Sequence, residues 1–124
     1  MRLLLDTHVV LWWLGDDPIL STEIKDRIDI EPEVYLSPVT VWEVAIKQAL
    51  GKLTGPPDLA ERIRDADLRE LPIRHDHAVT AGQLPPIHRD PFDRMLVAQA
   101  LREGLTLVTR DDRIQKYDVP ILLA

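Results

Sequence analysis

The sequence predicts an α/β fold, a three-layer α/β/α sandwich around a mostly parallel central sheet of about four to five strands. Short apolar runs such as Leu3-Leu4-Leu5, Val34-Tyr35-Leu36 and Leu105 to Val108 are hydrophobic without strict alternation, as in strands covered on both faces. Segments with helical spacing separate these runs, the chain order of repeated β–α–β units. The chain has 124 residues and is 45% hydrophobic, the size of one domain with enough apolar material for a core. We therefore expect a single domain over residues 1–124.

Each element has a local reason. Leu3-Leu4-Leu5 is a buried strand that stops at the carboxylate of Asp6. Thr7 to Leu14 carries Val9, Val10, Trp12 and Trp13 and halts at the turn signal Gly15-Asp16-Asp17-Pro18. Ser21 caps a helix with Ile24 and Ile28 on one face, running to about Ile30. Val34 to Leu36 is a second strand, and Ser37-Pro38 opens a helix carrying Val39, Trp42, Ala45, Ile46 and Ala49, closed at Gly51. Gly55-Pro56-Pro57-Asp58 begins a further helix with Leu59, Ile63 and Ala66. Leu68 to Ile73 is expected as a strand and His75 to Leu84 as a short helix. Pro85-Pro86 forces a loop, and Asp90-Pro91 starts a long apolar helix through Leu101, closed by Gly104. Leu105 to Val108 is a strand, Asp111 to Tyr117 a short helical piece and Val119 to Leu122 a last strand.

Composition removes several function classes. The chain has no cysteine, which excludes disulfide scaffolds, thiolate zinc sites, iron–sulfur clusters and cysteine nucleophiles. Twenty-one acids against fifteen bases give a formal charge of −6, which argues against gripping nucleic acid by bulk electrostatics alone. It leaves room for an acidic pocket that recruits a cation. No apolar run reaches the ~20 residues of a membrane helix. The opening MRLLLD breaks at Asp6 with no cleavage pattern behind it, so no signal peptide is read and a cytoplasmic location is expected.

Ligands of open α/β sheets sit at the C-terminal edge of the strands, and chain direction delivers four carboxylates there. Asp6 follows the first strand, and Glu43 lies in the first turns of the helix after the second. Asp93 lies in the first turn of the long helix, and Asp111 follows the fourth strand. Converging carboxylates repel and raise one another's pKa unless a cation neutralises them. Hard oxygen ligands suit Mg²⁺ or Mn²⁺. Plainer readings exist for each acid. Thr40 to Glu43 fits a capping box, although Ser37-Pro38 is a competing start. Asp90 fits an N-cap with Asp93 as a favourable dipole charge. Asp111 fits a cap of the next helical piece, with Asp112 its rival. Capping accounts for these acids singly and not for their convergence.

The stretches LLLDTHVVLWW, SPVTVWEVAIK, HRDPFDRMLVAQAL and LVTRDDRI occur in order and span nearly the whole chain. Together they resemble a PIN domain, and more closely the VapC-type toxins of bacterial toxin–antitoxin pairs. The resemblance implies a Mg²⁺- or Mn²⁺-dependent endoribonuclease whose four acids map onto Asp6, Glu43, Asp93 and Asp111. Asp6 and Asp93 are assigned direct metal contact, with Glu43 and Asp111 completing the cage and Asp90 as a further ligand or a cap. The family's small hydroxyls correspond to Thr7, Ser37 and Thr109, which would orient carboxylates or waters. The resemblance also implies a homodimer and a VapB-type antitoxin partner, with contact to DNA only through that antitoxin.

Arg89, Arg94, Arg110 and Arg113 flank the acids and are read either as RNA phosphate contacts or as ordinary ion pairs. Lys47, four residues after Glu43, reads as a helix-face pair. His75 and His77 are discounted as ligands because i and i+2 do not share a helix face. His88-Arg89-Asp90 mimics a kinase catalytic triplet without a glycine-rich loop or sufficient length, and is set aside. Two rival functions remain. A phospho-receiver signalling domain is also small and acidic, but it carries paired acids after its first strand and a lysine after its last; here Thr7-His8 follow Asp6, and the last strand ends the chain. A catalytically inactive PIN binding module is the other.

Overall fold

The computed structural model describes all residues from Met1 to Ala124. Five strands, β1 (Arg2–Leu5), β2 (Glu33–Leu36), β3 (Arg69–Glu70), β4 (Thr106–Thr109) and β5 (Ile121–Leu123), form one sheet in the order β3-β2-β1-β4-β5. Every pairing is parallel. The helices are α1 (Thr7–Leu14), α2 (Thr22–Ile30), α3 (Pro38–Ala49), α4 (Leu59–Arg64), α5 (His75–Gln83) and α6 (Pro91–Glu103), with a 3₁₀ turn at Ile114–Lys116. No helix is long and apolar enough to cross a membrane.

The apolar strands bury both faces, as their composition requires. Leu3 and Leu5 pack with Val9, Val10, Ile24, Ile28, Val44, Ile63 and Val108 on one side of the sheet. Leu4 and Leu107 point to the other side and pack with Val39, Leu96, Val97, Ala100, Ile114 and Tyr117. This alternation within one strand produces the three layers.

Strand β1 is central, so the order reverses beside it, and the turns after β1, β2 and β4 open at the same edge. Three helices of this edge start on side-chain caps. Asp6 caps α1 by accepting from the Val9 N–H, Ser37 caps α3 from Val39, and Asp90 caps α6 from Phe92 and Asp93. Pro follows the cap in α3 and α6, where its missing N–H costs nothing. Gly104 ends α6 at φ 67°, a left-handed position that favours glycine.

The strand expected over Leu68 to Ile73 is reduced to Arg69–Glu70. The Leu71 N–H still bonds the Leu36 carbonyl, but Pro72 has no N–H to extend this edge strand. The helix after Pro56-Pro57 starts only at Leu59, and Asp58 makes no capping bond. The piece expected over Asp111 to Tyr117 is a single 3₁₀ turn. The last strand lies later than Val119 to Leu122, because Pro120 contributes only its carbonyl, to the Leu107 N–H.

Candidate metal and nuclease site

Strand β1 delivers Asp6 into a nearly closed position, 4% exposed. One carboxylate oxygen accepts from the Val9 N–H at 3.0 Å and the other from the Thr109 hydroxyl at the end of β4. Burial pushes the Asp6 carboxyl up, the Thr109 and Val9 hydrogen bonds pull it back, and Asp111 adds to the rise. Thr109 therefore works on both neighbours: its hydroxyl donates to Asp6 and accepts from the Asp111 N–H at 3.0 Å.

Glu43 comes from the second turn of α3 and is also buried. Its Oε1 accepts from the Thr7 hydroxyl at 2.7 Å, and its Oε2 accepts from Lys47 Nζ at 2.5 Å. No bond runs back to the start of α3, where Ser37 is the cap. The capping-box reading of Thr40 to Glu43 is thus replaced by a tie between α3 and α1. Lys47 forms the i,i+4 pair its spacing predicts. Its ammonium pKa is raised, first by the Glu43 hydrogen bond and further by the charges of Glu43, Asp90 and Asp93.

The first turn of α6 supplies Asp90 and Asp93. Asp90 Oδ1 accepts from the backbone of Phe92 and Asp93 at 2.8 and 3.2 Å, a helix cap that leaves Oδ2 without a protein donor. Asp93 Oδ2 lies 2.8 Å from His88 Nε2. The Asp93 pKa is pushed up to about 7, chiefly by burial and then by Asp90, with Glu43 and Asp6 adding to the rise and His88 opposing it. His88, Asp90 and Asp93 present ligand atoms within 4.8 Å of one another, a spacing suited to a cation.

Asp111 caps the 3₁₀ turn through Oδ1, accepting from Arg113 and Ile114 at 2.8 and 3.2 Å. It also lines a hollow of 260 Å³ with Asp6, His8, Trp12 and Arg110. Asp112 is exposed on the outside of this turn. Asp6, Glu43, Asp90, Asp93 and Asp111 are thereby linked by shared partners and by their effects on one another. Ser37 is fully buried and spends its hydroxyl on the α3 cap.

The arginines divide by use. Arg94 directs its guanidinium at the carbonyls of Ala81, Leu84, Pro85 and His88 and at the Tyr117 hydroxyl. It pairs with no carboxylate, and its donors are committed to holding the Pro85-Pro86 loop against α6. Arg110 bonds the carbonyls of Ala124 and Ile19 and lies 4.9 Å from the Trp12 ring centroid. Arg89 and Arg113 are exposed. His77 is buried and accepts the Arg74 N–H.

Two roles escaped the sequence reading. His88 belongs to the acidic cluster, although it lies in a loop with no periodicity to announce its orientation. Its position five residues before Asp93 and two before a helix cap was the available signal. Asp6 caps α1 as well as lying in the acid cluster, which the strand-end reading does not foresee.

A family model described as PIN domain matches residues 3–120. The chain is 31% identical over 125 residues to Ribonuclease VapC22 of Mycobacterium tuberculosis, covering 94% of this chain and 92% of that protein. The fold matches that in a crystal structure of VapBC2 from Rickettsia felis bound to a promoter DNA fragment. The TM-score is 0.76 at 13% identity, with 99% of this chain and 98% of that one covered. It also matches the structure of FitAcB from Neisseria gonorrhoeae, with TM-score 0.66, 26% identity and 98% and 96% coverage. With the fold, the acid cluster and a family match over nearly its full length in agreement, the chain belongs to the PIN domain family, on its VapC branch.

Proposed function

We propose that this protein is a Mg²⁺- or Mn²⁺-dependent endoribonuclease, the toxin of a VapBC-type pair acting in the cytoplasm as a single-domain chain. The observation that carries the reading is the convergence of Asp6, Glu43, Asp93 and Asp111 at one sheet edge, with Asp93 raised to about 7. A VapC relative named as a ribonuclease supports the substrate class, and VapBC complexes of the same fold support a VapB-type antitoxin partner.

The residues fit a divalent ion. Asp6 and Asp93 would hold it directly, with Asp90 and His88 beside them and Glu43 and Asp111 completing an oxygen-rich set. When bound, such an ion supplies a more acidic water and offsets charge on a phosphodiester undergoing hydrolysis. The protein's own groups prepare that place. Thr109 and Val9 fix the Asp6 carboxylate, Thr7 fixes Glu43, and His88 fixes Asp93. Lys47 holds a positive charge against Glu43, which lowers the repulsion among the acids in the absence of a bound ion. Arg89 and Arg113 are the arginines left to meet phosphate, and the chain is expected to act as a homodimer.

The test is RNA cleavage by purified protein with Mg²⁺ or Mn²⁺, with chelator and with Asp93→Asn. Cleavage that requires metal and falls by at least about 100-fold in the variant supports the assignment. Cleavage that survives chelation and substitution contradicts it. The receiver alternative predicts labelling by acetyl phosphate in place of cleavage.

A further inference from the structure

Net charge and arginine use leave RNA affinity short of a source. The chain carries −6, Arg94 is spent on carbonyls, and Arg110 is spent on carbonyls and the Trp12 face. Phosphate contacts drive most nucleic-acid binding, and only Arg89 and Arg113 remain free near the acids. A second source of affinity for single strands is base stacking on exposed aromatic side chains.

The helices that carry Glu43 and Asp93 bring such a group together. Trp42 directly precedes Glu43 on α3, and Phe92 directly precedes Asp93 on α6. Their rings meet edge to face at 5.2 Å and 77°. Trp42 is nonetheless 60% exposed. The Phe92 contact thus fixes the indole while leaving much of its surface to solvent. Beside it lies a mainly apolar groove of 320 Å³, lined by Leu36, Val41, Leu68 and Trp42, with Arg64 and Glu70 as its charged members. That volume is at the low end of the roughly 300–1,000 Å³ of small-molecule pockets, a size for one planar ring system.

Resting on the nuclease reading above, we propose that Trp42 is a substrate-binding residue. An unpaired base of single-stranded RNA stacks on its indole in this groove and holds the strand to the protein in ground state and transition state alike.

Steady-state cleavage of a mixed-sequence single-stranded RNA oligonucleotide with Mn²⁺ is compared for wild type, Trp42→Ala and Trp42→Phe. The same RNA is titrated into the Asp6→Asn chain while indole fluorescence is followed. Removing one base–aromatic stack should raise KM roughly 5- to 100-fold with kcat within about 2-fold, and Trp42→Phe should recover most of the loss. RNA should quench indole emission in Asp6→Asn, and adding Trp42→Phe to that chain should remove most of the quench. An unchanged KM in Trp42→Ala, with wild type still cleaving, overturns the stacking role and leaves the nuclease reading standing. A change in sedimentation of Trp42→Ala with KM unaltered marks the groove as a protein interface, and also overturns it. A wild-type chain that neither cleaves nor binds RNA sinks both readings.

Discussion

Asp93 is the residue where site chemistry and folding oppose each other. Its carboxyl is held near 7 against an ordinary value of 3.8, with burial the first cause and Asp90, Glu43 and Asp6 adding to it. An acid whose folded pKa exceeds its unfolded one binds its proton more tightly in the native state, so ionising it costs stability. In the metal-free protein that cost sets in as pH rises above about 4 and is complete above about 7, on the order of 2–4 kcal/mol. Asp93→Asn keeps a partner for His88 and removes the charge. Thermal denaturation in chelator at pH 8 should show it melting roughly 5–10 °C above wild type, with the gap closing towards pH 4. Equal melting temperatures at pH 8 would show that the charge is not strained. The positions of Asp6, Glu43, Asp93 and Asp111 were legible because chain direction alone sends them to one edge. The part of His88 was not, since a loop side chain is aimed by tertiary contacts and not by a repeat.

At the scale of elements, the loop between α5 and α6 is organised by one side chain. Arg94 gathers four carbonyls and the Tyr117 hydroxyl, and these acceptors lose their partner if the guanidinium is removed. Arg94→Ala should therefore lower stability by about 2–4 kcal/mol, measured by urea denaturation, with Arg94→Lys restoring only a fraction. A change below about 0.5 kcal/mol would show that water replaces the arginine without loss. Neither the phosphate nor the ion-pair reading of Arg94 anticipated this, because backbone carbonyls leave no mark in a sequence. Helix starts were far more legible: Ser21, Ser37-Pro38 and Asp90-Pro91 each mark an observed boundary within one residue. The edge strands β3 and β5 were displaced or shortened, since Pro72 and Pro120 limit hydrogen bonding where hydrophobicity alone suggests pairing.

For the molecule as a whole, the parallel sheet brings acids distant in sequence to one edge, and its two apolar faces give that edge a rigid base. The alternation of apolar strands and helices makes this architecture readable in the sequence. The packing that buries Asp6 and Glu43 supplies what patterning does not, a low-dielectric setting that sharpens their need for a counter-charge. Lys47 answers that need only in part. The most direct measurement is calorimetric titration of Mn²⁺ and Mg²⁺ into wild type and Asp93→Asn near neutral pH. A cation site at these acids requires saturable uptake by wild type and a loss of at least about 10-fold in affinity in the variant. No uptake by wild type, or equal uptake by both, would contradict it.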